Sequence, residues 1–243
     1  MPLAVDDLTG ADYLSVLSTI HSLFRPKTYL EIGTRSGDSL RLANCASISI
    51  DPSFKISSDV IGSKSEVLFV QDSSDAFFVS THRRGLSIDL AFIDGLHLFE
   101  VVLRDIINVE RHARKSSIIA LHDCLPTDVH YTSRFESDVE YRRRGRHPNW
   151  WTGDVWKVIL ILQKYRPDLK VLCLDAAPTG LALVCNLDSE NRLLETSYLS
   201  IVREWADTSL ESYTIERFFS EVGVTATSEV TTLEGFSRHF RLL

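Results

Sequence analysis

The spacing of apolar and polar positions changes along the chain, and each change predicts a different kind of element. Residues 11–24 (ADYLSVLSTIHSLF) place Leu17, Ile20 and Phe24 at helical spacing and are followed by Pro26, which predicts a leading helix. Five short apolar runs come next, and none of them has a polar face: TYLEIG, ASISID, EVLFVQD, IDLAFID and SSIIALHD. Runs of this kind are typical of buried parallel strands.

Helix-compatible segments separate the apolar runs. They cover residues 37–45, 73–84 and 97–113, so the chain shows a repeated βα pattern. This pattern predicts an open, doubly wound α/β sheet. In such a sheet the ligand lies at the carboxyl ends of the strands.

The pattern changes after the fifth run. Residues 125–152 are polar, basic and aromatic, and we interpret them as a lid-like insertion, although their arginines and tryptophans are equally consistent with a solvated face and a sheet cover. A helix, DVWKVILILQKY, follows, with Asp154 as its expected N-cap. KVLCLDA and GLALVCNL, separated by APTG, predict a β-hairpin, and the stretch from about Glu195 predicts further helices.

Composition sets the scale of the molecule. With 243 residues, 44% of them hydrophobic, we expect one domain over residues 1–243, made of an N-terminal helix in 1–26, a core in 27–187 and a helical extension in 188–243. A net charge of −7 argues against a nucleic-acid partner, and no apolar run reaches the roughly 18–20 residues of a membrane span. The four cysteines show no CxxC spacing, so we expect a cytoplasmic protein.

The stretch EIGTRSGDS predicts a ligand-binding loop. Gly33 and Gly37 allow a sharp turn that brings backbone N–H groups towards a ligand. Asp51 closes the next run, where an acid can accept hydrogen bonds from ribose hydroxyls. A dinucleotide site usually shows GxGxxG, but Arg35 stands two residues before Gly37, and Glu31 precedes the first glycine.

This combination resembles the class I, Rossmann-like S-adenosylmethionine-dependent methyltransferases over about residues 27–187. The resemblance implies a three-layer α/β fold, with a mostly parallel sheet, a C-terminal antiparallel hairpin and helices on both faces. It implies S-adenosylmethionine as cofactor, with its methionine end near the glycine loop, its ribose on Asp51 and its adenine near Asp72. The cofactor-binding residues are then Glu31, Gly33, Thr34, Gly37, Asp51, Asp72, Ser73 and Asp94. Alternatively, Asp72 only caps a helix.

A second group of polar residues follows the central runs. Asp94 ends one run and His122 and Asp123 end its neighbour, so these side chains should converge at the carboxyl edge. Two carboxylates suit a hard divalent cation such as Mg²⁺, and His97 could accept a proton near neutral pH. Otherwise Asp94 caps a turn and His97 packs on a helix face.

The D-G-x-H pattern followed by H-D resembles methyltransferase family 24 and the macrolide-sugar O-methyltransferases. That resemblance implies Mg²⁺ at Asp94, His122 and Asp123 and makes His97 the catalytic base. His122 is a departure, since an acid often stands at its position in that group.

The leading hypothesis is therefore metal-assisted O-methylation of a small polar hydroxyl compound, such as a sugar unit of a natural product or glycan. The alternatives are an N-methyltransferase, a hydroxylase-like relative with the same sheet, or a cofactor-binding regulator or scaffold without activity. The expected partner is a small-molecule acceptor, and the C-terminal helices are a candidate homo-oligomer interface.

Overall fold

A computed structural model describes residues 3–80 and 85–240, and one mixed sheet of eight strands forms its centre. The strands are β1 (Thr28–Ile32), β2 (Ala46–Ile50), β3 (Val67–Val70), β4 (Ile88–Ile93), β5 (Ala113–His122), β6 (Lys170–Leu174), β7 (Leu181–Cys185) and β8 (Val224–Thr225). Their order across the sheet is β3-β2-β1-β4-β5-β7-β6-β8.

The sequence-based fold prediction is confirmed. Strands β1 to β5 pair in parallel, and β6 and β7 form an antiparallel hairpin whose second strand lies beside β5. The chain order reverses between β1 and β4, which is the switch point where doubly wound sheets bind their ligands. The short strand β8, which pairs with β6, was not predicted.

Helices cover both faces of the sheet. They are α1 (Tyr13–Phe24), α2 (Ser74–Val79), α3 (Phe99–Arg111), α4 (Val139–Arg142), α5 (Trp156–Tyr165), α6 (Leu193–Thr196), α7 (Tyr198–Trp205), α8 (Leu210–Tyr213), α9 (Ile215–Val222) and α10 (Leu233–His239). Two apolar clusters result, one involving α3, α5, α7 and α9 and the other involving α1 and α10. None of the helices in the described ranges is long and apolar enough to cross a membrane.

The prediction of a helix over residues 37–45 is wrong, because only a 3₁₀ turn, Leu40–Leu42, forms there. Parallel pairing requires the chain to return from the end of β1 to the start of β2, with Thr28 opposite Ala46. Gly37 has a left-handed backbone with φ +84°, and Ala43 has an extended one with ψ 142°. Only residues 38–42 lie between them, so the segment forms one short 3₁₀ turn before the chain enters β2. The predicted helix over 73–84 is present as α2, and residues 81–84 lie outside the described ranges.

Candidate active site

The ends of four neighbouring strands lie level at the carboxyl edge of the sheet. The backbone N–H of Asp94 donates to Ile32 O over 2.9 Å, and that of Gly33 donates to Ile50 O over 2.9 Å. The N–H of Asp51 donates to Val70 O over 3.1 Å. The residues that follow β1, β2 and β4 therefore lie side by side, as the sequence predicts.

The loop after β1 needs both of its glycines. Gly33 has φ +89°, and a Cβ there would lie 2.1 Å from the backbone oxygen of Asp94. Gly37 has φ +84°, and its Cβ would lie 2.6 Å from a methyl carbon of Val60. Both the left-handed backbone and the close approach exclude a larger residue.

Asp51 holds this loop in place. Its Oδ2 accepts from the N–H of Arg35 over 2.7 Å, and its Oδ1 accepts from the N–H of Ser53 over 2.6 Å. A carboxylate has about four acceptor positions, so lone pairs remain for a ligand hydroxyl. The structure thus gives Asp51 a loop-fixing role beside the predicted ribose contact, which stays a prediction.

Two further predicted residues lie in the interior beside this loop. Glu31 is fully buried and accepts the Tyr29 hydroxyl over 2.5 Å, while its Oε1 has no partner within the described ranges. Burial raises the pKa of Glu31 to about 7. Thr34 is also buried, and its hydroxyl lies 2.7 Å from that of Ser49. Glu31 is therefore a buried acid with acceptor capacity to spare.

The residues predicted near adenine follow β3. Ser73 is the N-cap of α2, because its hydroxyl accepts from the N–H of Ala76 over 3.2 Å. Asp72 is exposed and accepts from the N–H of Ser73. The alternative that Asp72 is the helix cap is therefore wrong, and that role belongs to Ser73.

Two carboxylates and two imidazoles meet at the ends of β4 and β5. His97 Nε2 lies 3.4 Å from Asp94 Oδ1 and 3.2 Å from Asp123 Oδ2. His122 Nδ1 lies 3.3 Å and 3.5 Å from the same two oxygens. We call these four residues the edge cluster. Asp123 has φ +55°, a conformation that is uncommon outside glycine and that recurs at functional sites.

The charges of the edge cluster are strongly coupled. Burial alone would raise the pKa of Asp94, but the positive charges and hydrogen bonds of His122 and His97 outweigh it and hold that pKa below its usual value. Burial would lower the pKa of His122, yet the two carboxylates raise it to about 10. The same carboxylates raise the pKa of His97 against its burial. The positive charge that balances the carboxylates of Asp94 and Asp123 therefore comes from the imidazoles of His97 and His122.

The donor atoms of the edge cluster suit a metal ion. Donor atoms of Asp94, His97 and Asp123 all lie within 4.8 Å of one another. The two carboxylates fit Mg²⁺, which prefers oxygen ligands and retains water. An imidazole in the coordination sphere would favour Mn²⁺ or Zn²⁺ instead. The structure thus brings the three predicted ligands together and adds His97 as a fourth possible donor.

Sequence analysis missed two residues that contact the edge cluster. The ring of Tyr13, the first residue of α1, stacks on His122 with the centroids 3.9 Å apart. The Thr179 hydroxyl donates to Asp123 Oδ1. Both lie in stretches that the sequence analysis used only for secondary structure, the leading helix and the APTG turn, so no chemical motif pointed to them. Only the predicted helix before β1 could have suggested that α1 covers this part of the sheet.

The predicted role of Asp154 is wrong. Its Oδ1 accepts from the N–H of Phe99 over 2.8 Å and so caps α3, whereas α5 has no side-chain cap. Val155 already has helical backbone angles, so Asp154 does not cap α5. The N-cap position of α3 holds Leu98, which has no side-chain acceptor, and the Asp154 carboxylate supplies the acceptor there. Asp154 therefore links the insertion to the segment that carries His97.

The insertion 125–152 packs closely against its neighbours. Tyr131 is fully buried and Arg142 nearly so. Arg146 and His147 each contact Asp7 of the N-terminal segment at 2.8 Å. The insertion reaches the edge cluster through Trp151, whose ring lies 4.7 Å from that of His97. Its action as a lid stays a prediction.

Comparisons with known proteins agree with this geometry. Residues 30–124 match the model of a family described as a methyltransferase domain. The fold is similar to that of cofactor-bound Rv0187 from MTB, at 16% identity and a TM-score of 0.50, over 77% of this chain and 84% of the other. It is also similar to an O-methyltransferase family protein from Burkholderia thailandensis, at 14% identity and a TM-score of 0.50, over 73% of this chain and 56% of the other.

A further similar structure is the O-methyltransferase from Bacillus cereus in complex with SAH. Its identity is 13% and its TM-score 0.49, over 73% of this chain and 83% of the other. No curated protein matches the chain. The family match spans β1 to β5, and it therefore includes the glycine loop and all four residues of the edge cluster.

Proposed function

We infer the reaction from one premise, that this chain is a class I, S-adenosylmethionine-dependent methyltransferase, which its domain match and fold support. We propose that it methylates a hydroxyl group of a small polar compound, such as a sugar unit of a natural product or glycan. The observation that carries this proposal is the convergence of Asp94, His97 and Asp123 beside the glycine loop. A base and two acids at this position suit an acceptor that must lose a proton.

The cofactor site in this proposal is the loop after β1 with the residues that border it. Because Gly33 and Gly37 have no side chains, a ligand can approach the backbone N–H groups of this loop. Asp51 has lone pairs left to accept hydrogen bonds from the ribose hydroxyls. Glu31 has an unpartnered buried oxygen close to where we place the methionine end. Asp72 and Ser73 follow β3, which lies next to β2, and we place the adenine beside them.

A divalent cation would be held by Asp94 and Asp123, with His122 as the third ligand. When bound, it would orient the acceptor hydroxyl and lower its pKa. The geometry supports this proposal, because Asp94 Oδ1 and Asp123 Oδ2 each lie within 3.5 Å of both His97 Nε2 and His122 Nδ1. Mg²⁺ remains our assignment for the two carboxylates, and Mn²⁺ is the competitor that the imidazoles favour.

His97 acts as the base in the proposed step. S-adenosylmethionine, when bound, would supply the methyl group: the acceptor oxygen would form the new C–O bond as the S–C bond breaks, and the electron pair of that bond would stay on sulfur in neutral S-adenosylhomocysteine. The hydroxyl proton goes to His97 Nε2. Most of the remaining rate gain comes from alignment of the two reacting centres.

The test is methyl transfer by the full chain with S-adenosylmethionine and matched panels of hydroxyl and amine acceptors. We expect S-adenosylhomocysteine release and a methylated product with a hydroxyl acceptor, lost on chelation and restored by Mg²⁺ or Mn²⁺. Methylation of amines only would replace the proposal with an N-methyltransferase. Full activity after thorough metal removal would leave Asp94 and Asp123 with a hydrogen-bonding role only.

A further inference from the structure

We propose that residues 151–154, which we call the clamp segment, position His97 and set the nitrogen on which it carries its proton. This inference deepens the proposed function, since it explains how His97 serves as a base. The clamp segment lies outside the residues that match the methyltransferase domain, so it belongs to the part of this chain that the family match does not cover.

The first step concerns the hydrogen bond of the ring. His97 Nδ1 lies 3.0 Å from the backbone oxygen of Trp151. A carbonyl oxygen can only accept, so Nδ1 must carry the hydrogen. A neutral imidazole has one N–H, and Nε2 is then left with a free lone pair. Nε2 is the atom that faces Asp94 and Asp123.

The second step is that the surroundings alone would favour the opposite tautomer. The Asp94 and Asp123 oxygens lie 3.4 Å and 3.2 Å from Nε2 and would accept a hydrogen from it. A ring protonated there could donate to the carboxylates but could not take a proton from an acceptor. The Trp151 carbonyl therefore competes with two carboxylates and keeps Nε2 available as a base.

His122 provides the contrast within the same cluster. Its Nδ1 faces the two carboxylates, and its Nε2 is buried with no hydrogen-bond partner in the described part of the chain. Within residues 3–80 and 85–240 no backbone carbonyl accepts from His122 Nε2, so a neutral His122 carries its hydrogen on Nδ1 and donates it to the acids. The two histidines thus differ in role because only one of them has a clamp.

The third step is the closeness of the two backbones. Gly153 has φ +52°, and a Cβ there would lie 1.8 Å from the His97 carbonyl oxygen and 2.7 Å from His97 Cβ. The N–H of Asp154 donates to that same carbonyl oxygen over 3.1 Å. The clamp segment therefore holds His97 by its ring and by its backbone, and only glycine permits the approach.

The clamp segment is itself fixed on several sides. Trp151 Nε1 donates to Ser133 O over 2.6 Å, and the N–H of Thr152 donates to Tyr131 O over 2.9 Å. Asp154 is 2% exposed, caps α3 at Phe99, and pairs with Lys157 at 3.1 Å. These contacts make the Trp151 carbonyl a rigid acceptor.

The experiment is long-range ¹H–¹⁵N correlation spectroscopy of the full chain with ¹⁵N-labelled histidine, at a pH high enough to make His97 neutral. Comparison with His97→Gln assigns the His97 signals. We expect His97 Nδ1 to show the shift of a protonated nitrogen and His97 Nε2 that of a lone-pair nitrogen. A His97 protonated on Nε2 in the parent would overturn the proposal.

Gly153→Ala tests the clamp directly, and Gly62→Ala is its matched control. Gly62 has φ +49°, but a Cβ there would meet nothing within 4 Å, so the control carries the same backbone strain without the clash. In Gly153→Ala we expect the ¹⁵N shifts of His97 to show a mixture of the two tautomers. In Gly62→Ala we expect them to match those of the parent. A parent-like His97 signature in folded Gly153→Ala would contradict the clamp. If Gly153→Ala does not fold, the parent spectrum still decides the tautomer.

The tautomer measurement needs no cofactor, so its outcome is separate from that of the proposed function. If the protein shows the expected tautomer but no methyl transfer, the positioning role of the clamp segment stands and the proposed reaction is wrong. If it transfers methyl groups but shows the opposite tautomer, the proposed reaction stands and the role of the clamp segment is wrong.

Discussion

Two buried charged clusters occupy opposite edges of the sheet, and they differ in how completely their charges are satisfied. At the amino edge, Arg166 donates to Glu110 over 2.7 and 2.9 Å and to Asp168 over 2.8 Å, and the N–H of Asp188 completes the acceptors of Glu110. Every side-chain nitrogen of Arg166 and every side-chain oxygen of Glu110 has a partner. Opposite charges therefore pair directly with each other at this edge.

The edge cluster at the carboxyl edge is left open. It sets two acids beside two imidazoles and leaves His122 Nε2 buried without a partner among the described residues. Asp123 also holds an uncommon backbone conformation. A satisfied buried cluster stabilises a fold, whereas an incomplete one costs stability and persists where chemistry requires it.

The largest expected effect is on the amino edge. Arg166→Met should lower the free energy of unfolding by about 3–5 kcal/mol, because it leaves the Glu110 charge buried without its main partner. Urea denaturation measures this loss. Arg238→Met, which removes an exposed pair with Glu234, is the control and should change stability by less than about 0.5 kcal/mol. An equally small effect for Arg166→Met would show that the paired charges at the amino edge do not stabilise the fold.

The next effect is on turnover at the carboxyl edge. His97→Gln should reduce turnover by roughly a hundredfold or more, the usual scale for a general base, while S-adenosylhomocysteine affinity stays near that of the parent. The acceptor that the parent methylates serves as substrate. His130→Gln removes a histidine that pairs with Asp128 at 2.7 Å outside the edge cluster and should leave turnover unchanged. If the His97→Gln variant kept most of its activity, His97 would not be the base and would only shape the pocket.

A smaller loss is expected in cofactor affinity. Asp51→Ala should weaken S-adenosylhomocysteine binding by about tenfold or more, since hydrogen bonds to a charged group contribute about 1.5–3 kcal/mol. Part of the loss comes through the loop that Asp51 fixes at Arg35. Asp38→Ala removes an exposed acid of the same loop and is the matched control. Equal affinities in calorimetric titration of the two variants would exclude Asp51 from the site.

The smallest effect is expected at Asp105, a buried acid that belongs to neither cluster. Asp105 is 1% exposed, its carboxylate oxygens have no hydrogen-bond partner in the described ranges, and burial raises its pKa to about 7. The folded state keeps this proton up to about pH 7, while the unfolded chain releases it near pH 4. Stability should therefore fall as the pH rises from about 4 to 7 and stay low above.

Asp105→Asn removes this titration. Because asparagine also leaves polar atoms unpaired, we expect a net stabilisation on the order of 1 kcal/mol at pH 8 and little at pH 4. Thermal unfolding at the two pH values measures the difference. Equal effects at both pH values would show that Asp105 is ionised, and therefore solvated, throughout.

The parts of the site that depend on strand order were predictable from the sequence. Apolar runs without a polar face identified β1 to β5, and the residues just after those runs, Gly33, Asp51, Asp94 and Asp123, had to meet at one edge. The contacts that depend on packing were not predictable. Tyr13 reaches His122 only because α1 lies on the sheet, and Gly153 meets His97 across 56 residues of chain.

Local rules gave the wrong answer where tertiary structure overrode them. Asp154 precedes α5 and has the right residue type for its cap, but its side chain caps α3 instead. The segment 37–45 is helix-compatible in composition, yet the left-handed backbone at Gly37 and the extended backbone at Ala43 leave only a 3₁₀ turn between them. Assembly through the C-terminal helices stays a prediction, since a single chain does not test it.

The proposed cofactor site is tested most directly by calorimetric titration of the full chain with S-adenosylhomocysteine and, separately, with NAD. We propose that a sulfonium cofactor binds at the carboxyl edge, on a loop that lacks the GxGxxG of dinucleotide sites. We therefore expect saturable binding of one S-adenosylhomocysteine per chain and no binding of NAD. Saturable binding of NAD without binding of S-adenosylhomocysteine would show that the site is a dinucleotide site instead.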